Sequence, residues 1–183
     1  MTTDWSSIAL IGMMGAGKTR IGRELAAQLG WRFIDLDRWI EEQEGQSITE
    51  LFSERGEDYF RLRETRALAY WADVPRLIIA TGGGIVQRPE NRLSLKANYR
   101  IIFLEASIST LWERVRRSRH RPLLRVENPR ARLRSLLQAR QPIYREWADL
   151  TVRTDKRSAE EIVAEIIERL DLGGTICGPS MST

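Results

Sequence analysis

The sequence predicts an α/β fold three layers deep, with a parallel sheet held between two layers of helices. Two observations carry this. Short apolar runs recur along the chain, and longer stretches with helical spacing lie between them. Parallel neighbours need a crossover of roughly a dozen or more residues, usually a helix. Strands so separated form a parallel sheet covered on both faces. A glycine-rich turn joining the first run to the first helical stretch agrees with both.

In order, Ile8 to Ile11 is the first strand, bounded by Ser7 and Gly12. Ile21, Leu25 and Leu29 then recur at helical spacing, and Gly30 is placed to end that helix. "RFIDLD" is a second strand running into two aspartates. A polar helical stretch covers Trp39 to Gln43. Ser47 caps another across "SITELF", with Glu50 three residues on as in a capping box. Arg61 to Trp71 is helical. "RLIIATGGG" is a third strand breaking into three glycines, and "RIIFLEAS" a fourth, followed by a helix from Ser107. Asn128 to Arg140 is helical, and Pro142 is expected to stop it, because proline has no N–H to donate. "DLTVRT" is the fifth strand, and Ser158 opens the final helix. One domain is expected over residues 1–172. The small, polar tail 173–183 is expected to be disordered.

Composition narrows the setting. The chain has 183 residues, 42% of them hydrophobic and 30% charged, which suits one domain with a sizeable core. No apolar run approaches the roughly 18 residues that a membrane span needs. "MTTDWSS" has neither the basic nor the apolar region of a secretory signal. Cys177 is the single cysteine, so an internal disulfide is excluded. Together these point to the cytoplasm. The net charge of +4 suits small anions as well as nucleic acid. From Arg114 to Arg125, "RVRRSRHRPLLR" holds six arginines in twelve residues. Such a run is either a solvated face or a set of cations for phosphates.

Gly12 to Thr19, "GMMGAGKT", matches G-x-x-x-x-G-K-[ST] at every fixed position. Glycines let the turn aim backbone N–H groups inward, and the following helix adds its positive end. Lys18 then bridges β- and γ-phosphates, and the Thr19 hydroxyl ligates Mg²⁺. Strand, turn and helix follow in the right order for a nucleoside triphosphate site. No N-K-x-D guanine motif is present, and the one D-x-x-G, Asp171 to Gly174, follows no strand. For the acid of a motor ATPase the nearest candidate is Glu105, and the chain is short for a motor. What remains is a small kinase with a cradle, an acceptor site and a lid of arginines.

The acceptor has to lie at the carboxyl ends of neighbouring strands. Asp35 and Asp37 end the second strand, and an i, i+2 pair on a strand points one way. One carboxylate then assists Mg²⁺ while the other binds an acceptor hydroxyl; Asp37 also suits a helix N-cap, and both readings stand. Gly82, Gly83 and Gly84 would bring N–H groups to a ligand, or simply make a tight connection. Arg61 and Arg140 have the planar fork that binds a carboxylate through two hydrogen bonds, but singly each reads as a surface charge.

Taken together, "GMMGAGKTRIGRELA", "FIDLD", "FRLRE", "TGGGIV", "RPLL" and "RQPIY" resemble the shikimate kinase family, in the family's order and over nearly the whole chain. The resemblance implies a P-loop fold with five parallel strands in the order 2-3-1-4-5. It implies transfer of the γ-phosphoryl group of ATP to the 3-hydroxyl of shikimate, with Mg²⁺, by a monomer. Gly15, Ala16, Gly17, Lys18, Thr19 and Arg20 would bind the nucleotide, and Thr19 and Asp35 the metal. Asp37 would hold the acceptor hydroxyls and take the proton, Arg61 and Arg140 the carboxylate, and Gly83, between Gly82 and Gly84, would donate its backbone N–H. Arg121 would close on the phosphates from a lid at about 116–127, Arg117 would stack on adenine, and Arg157 would border the base. The substrate-binding region would span about 35–63. Arg20 departs from the family's usual Ser or Thr. A gluconate kinase has less use for Arg61, Arg140 and the triple glycine together. A nucleic-acid-binding protein has no need of Lys18 and Thr19, and the arginine run offers no aromatic for base stacking. His120, the single histidine, sits in that run and is not expected to shuttle protons.

Overall fold

The computed structural model describes residues 7–116 and 122–172. Five strands, β1 (Ser7–Ile11), β2 (Arg32–Asp35), β3 (Leu77–Ala80), β4 (Arg100–Glu105) and β5 (Leu150–Arg153), form one sheet in the order β2-β3-β1-β4-β5. Every pairing is parallel, with Ala9 opposite Ile79 on one side and Ile101 on the other. β1 and β3 are buried at every position, as central strands between two helical layers must be. The helices are α1 (Lys18–Leu29), α2 (Leu36–Glu44), α3 (Ile48–Tyr70), α4 (Pro89–Asn98), α5 (Ile108–Val115), α6 (Pro129–Trp147) and α7 (Ala159–Arg169).

Local signals account for most boundaries. Gly30 ends α1 with its N–H bonded to the Ala26 carbonyl. The capping box of α3 is complete: Glu50 accepts from the Ser47 N–H at 2.7 Å, and the Ser47 hydroxyl accepts from the Glu50 N–H at 3.3 Å. Ser158 and Glu161 repeat the arrangement at α7. α3 joins two helical segments across a kink at Gly56, whose φ of 81° and ψ of 170° lie where only glycine is comfortable.

Two expectations need correction. Pro142 does not end its helix; α6 continues to Trp147. An interior proline costs about 3 kcal/mol. The turn after it buries Tyr144 and Trp147, at 0% and 3% exposure. Each such ring buries roughly 150–250 Å², about 4 kcal/mol or more at ~25 cal/mol per Å². Burial wins. The second correction concerns the two aspartates. β2 stops at Asp35, which caps α2 by accepting from the Arg38 N–H at 3.3 Å, so Asp37 lies in the helix's first turn. The chain turns there because Leu36 is fully buried. The shared direction expected of an i, i+2 strand pair therefore does not apply.

The parallel arrangement brings the residues after β1, β2, β3 and β4 to one edge, where connections on either side of β1 diverge and leave a crevice. Thr81, just past β3, ties that edge together. Its N–H and hydroxyl donate to the Leu10 carbonyl at 3.1 and 3.0 Å.

Candidate active site

The turn after β1 is built from backbone. Gly15 and Gly17 have φ of 84° and 100°, which aim successive N–H groups into the loop, and Gly17 is the residue from which α1 starts. A Cβ on Gly15 would lie 2.8 Å from Val115 Cγ1 and 3.2 Å from the Leu111 carbonyl, so α5 packs directly on the loop. Lys18 Nζ donates to the Gly12 and Met13 carbonyls at 2.8 and 3.0 Å, which arches the side chain over the turn. The Thr19 hydroxyl donates to Asp35 Oδ2 at 2.5 Å. A cavity of about 480 Å³ opens here, lined by Gly15, Gly17, Lys18, Thr19, Arg20, Asp35, Asp37 and Gly83 among others.

Among the described residues no group of three or more His, Cys, Asp or Glu could hold a metal unaided. Thr19 and Asp35 supply hard oxygens on the cavity wall, the donor type Mg²⁺ takes when phosphate oxygens and water complete its shell. The pair fits that ion.

A second cavity of about 240 Å³ shares Gly17, Arg20 and Arg114 with the first and continues past Thr154, Arg157 and Ile162. Arg157 is held there by Glu165 at 2.5 Å and by the Arg153 carbonyl at 3.1 Å. Arg114 donates to the Gly15 carbonyl at 3.0 Å and to the Thr154 carbonyl at 3.0 Å, bracing the phosphate turn against the residue after β5. In the sequence Arg114 stands only as the start of the arginine run. Nothing local distinguishes it, because its partners are 40 and 99 residues away. Arg117, Arg121 and His120 lie outside the described residues, as does the tail 173–183.

A third cavity, about 60 Å³, is lined by Asp37, Arg61, Glu64, Gly82, Gly83, Gly84 and Arg140, with Phe52, Phe60 and Leu123 as apolar wall. Met14, Asp37 and Gly83 border both this space and the phosphate cavity. The structure thus brings Asp37, Arg61, Arg140 and the triple glycine together, although they come from four separate stretches of chain. Arg61 is buried at 6% exposure, with Nη1 on Glu64 at 2.5 Å and Nη2 on Glu57 at 2.7 Å. Arg140, at 3% exposure, gives Nη1 to the Gly83 carbonyl at 3.2 Å. Its Nη2 is buried without a hydrogen-bond partner among the described residues, as is Glu64 Oε1. Such atoms are costly unless a ligand or water completes them.

The glycines are needed for space. A Cβ on Gly84 would overlap the Arg61 guanidinium, and one on Gly82 would meet the Glu64 and Asp37 carboxylates.

Glu64, within "FRLRE", lines this pocket as well, and no motif in the sequence singles it out. Its spacing of i+3 from Arg61, on one helix face, was the available signal. Complete burial favours the neutral acid and Arg61 favours the carboxylate; burial wins and pushes Glu64 up to about 7, with nearby Asp37 adding to the shift. Burial disfavours the Arg61 cation, but Glu64 and Glu57 more than offset it and hold the proton tightly. For Arg140, burial outweighs the help of Tyr144 and lowers its value from the ordinary one.

Comparison with known proteins identifies the family. The shikimate kinase family model matches residues 14–171. A shikimate kinase of Thioalkalivibrio sulfidiphilus is 47% identical over 164 residues, covering 90% of this chain and 86% of that protein. Shikimate kinase from Acinetobacter baumannii in complex with shikimate superposes with a TM-score of 0.89 at 39% identity, covering 94% of this chain and 96% of that one. A gluconokinase from Sinorhizobium meliloti 1021 has a TM-score of 0.58 at 20% identity over 92% of this chain and 93% of that one, a likeness of fold alone.

Proposed function

The chain belongs to the shikimate kinase family, and from that premise we propose how its residues transfer the γ-phosphoryl group of ATP to the 3-hydroxyl of shikimate. The observation that carries the reading is the meeting of two cavities at Met14, Asp37 and Gly83. Phosphate-binding groups line one, and two buried arginines with three glycines line the other.

The backbone N–H groups of Gly15, Ala16, Gly17, Thr19 and Arg20 and the Lys18 ammonium receive the phosphates. Arg20, in the first turn of α1, lines both nucleotide cavities and adds a cation where the family usually has a hydroxyl. Thr19 and Asp35 would hold Mg²⁺. When bound, that ion neutralises charge on the β- and γ-phosphates. Arg157 borders the nucleoside. Arg61 and the free edge of Arg140 hold the acceptor carboxylate, while Gly82, Gly83 and Gly84 approach it closely. Asp37 accepts a hydrogen bond from the attacking hydroxyl and then its proton, as the oxygen bonds to the γ-phosphorus and ADP leaves.

Charge in such a loose transition state is spread over the equatorial oxygens, so placement and electrostatics dominate over the base. Lys18 serves that charge from this side. As the family resemblance implies, Arg121 would close on the phosphates from the lid, which would exclude water, and Arg117 would stack on adenine. The protein is proposed to act as a single-domain monomer in the cytoplasm. Among the described residues no helix is long and apolar enough to cross a membrane.

The test is a coupled ADP-release assay with MgATP and shikimate, gluconate, a nucleoside monophosphate or no acceptor. ADP release with shikimate alone is expected. No release above the no-acceptor rate would remove the acceptor assignments of Asp37, Arg61, Gly83 and Arg140 while leaving the phosphate cradle intact.

A further inference from the structure

Tyr144 lies one helical turn after Arg140 on α6 and is fully buried. Its hydroxyl donates to the Gly83 carbonyl, which also receives Arg140 Nη1 at 3.2 Å. The same hydroxyl oxygen is 3.6 Å from Met13 Sδ, inside the phosphate turn. Its ring stacks on Phe103 of β4 with centroids 5.1 Å apart. Gly83 is itself pressed against the cradle, since a Cβ there would lie 3.3 Å from the Met14 nitrogen and 3.5 Å from the Gly12 carbonyl. One phenolic oxygen therefore touches both the acceptor turn and the phosphate turn.

The consequence follows from peptide geometry. In a trans peptide the C=O and the following N–H share a plane and point in opposite directions. Anchoring the Gly83 carbonyl therefore sets where the Gly84 N–H points. A phenol has a single proton, and here it is shared between a strong acceptor, the Gly83 carbonyl, and a weak one, the Met13 sulfur. A shift of the cradle at Met13 is thus passed to the glycine turn through one hydroxyl.

We propose that Tyr144 is a positioning residue that couples the two halves of the site, so that acceptor affinity depends on whether nucleotide fills the cradle. The acceptor's identity rests on the shikimate kinase reading; the coupling does not. Tyr144→Phe removes the hydroxyl while keeping the ring, its stacking on Phe103 and the Arg140 bond to Gly83, so the fold is expected to persist.

Calorimetric titration of shikimate with and without ADP measures the coupling. In Tyr144→Phe the shikimate Kd with ADP bound rises about 3- to 10-fold, the weight of one hydrogen bond, and the ratio of the two Kd values falls toward 1. By reciprocity the ADP Kd at saturating shikimate rises by the same factor. ADP titration followed at the Gly84 amide by NMR should move that resonance in the wild type and much less in the variant, a readout that needs no acceptor. A lowered Tm with unchanged Kd ratio and unchanged Gly84 response would make Tyr144 structural only and overturn the proposal. So would a wild type with no coupling. Failure of shikimate to bind at all would instead overturn the acceptor reading, leaving the Gly84 response to decide on Tyr144. Should Tyr144→Phe not fold, Met13→Leu removes the other contact at similar volume and is read the same way.

Discussion

The phosphate cradle and the acceptor pocket share one edge of the sheet but are made differently. The cradle is one contiguous stretch whose ligand-facing groups are largely backbone, and it opens into about 480 Å³. The acceptor pocket draws side chains from α2, α3 and α6 onto the glycines of the turn after β3, and encloses about 60 Å³ around its own ion pairs. Backbone recognition tolerates varied side chains provided the φ angles hold. Side-chain recognition tolerates varied sequence between contributors provided the packing holds. Each half should therefore fail in its own way.

The largest effect is expected in the cradle. Lys18→Ala should lower kcat by about 10²–10⁴-fold, as loss of other transition-state contacts does, in steady-state assays with the fold intact by circular dichroism. A kcat within tenfold of wild type would remove Lys18 from charge neutralisation.

Glycine substitutions sharpen the contrast. At Gly84 a Cβ overlaps the Arg61 guanidinium. A displacement of about 1 Å can cost on the order of 10²-fold, so Gly84→Ala should lower kcat/KM for shikimate by about that factor. It should change the KM for ATP by no more than the factor of about 3 to 10 that the Tyr144 contact passes on. Gly15→Ala, strained at φ 84°, should show the reverse selectivity. Equal effects on both substrates in either variant would mean that the two halves do not fail separately.

The smallest effect is one of pH, and it belongs to the acceptor pocket. Native Glu64 keeps its proton up to about 7, whereas the unfolded chain loses it near the ordinary 4.5. Between those values the native state binds more protons, so this contribution to stability is full below about 4.5 and is lost as pH rises through about 7. Urea midpoints at pH 5 and pH 8 should fall further for the wild type than for Glu64→Gln. Equal slopes would show Glu64 charged throughout.

Where a motif is contiguous it was legible. Gly12 to Thr19 announces a phosphate loop by residue type and spacing, and Ser47–Glu50 announces a helix start, because both depend on groups a few residues apart. Asp35 and Asp37 were legible as residues but not as geometry, since burial of Leu36 decides where strand becomes helix. Pro142 misled for a related reason: local propensity is small beside the burial of Tyr144 and Trp147. Glu64 and Arg114 were in view and unremarked, because their roles depend on partners that the fold supplies.

The sequence by itself determined the fold class, the phosphate loop and, through the order of its motifs, the family. Those follow from periodicity, turn chemistry and short-range spacing, which a linear chain carries intact. Only the tertiary structure decided that Asp37 and Gly83 stand between two cavities and that Glu64 is buried against Arg61. It also decided that the three glycines make room for charged side chains and that Tyr144 touches both halves of the site. These are distances between residues far apart in the chain, set by how the helices pack on the sheet, and no local pattern encodes them.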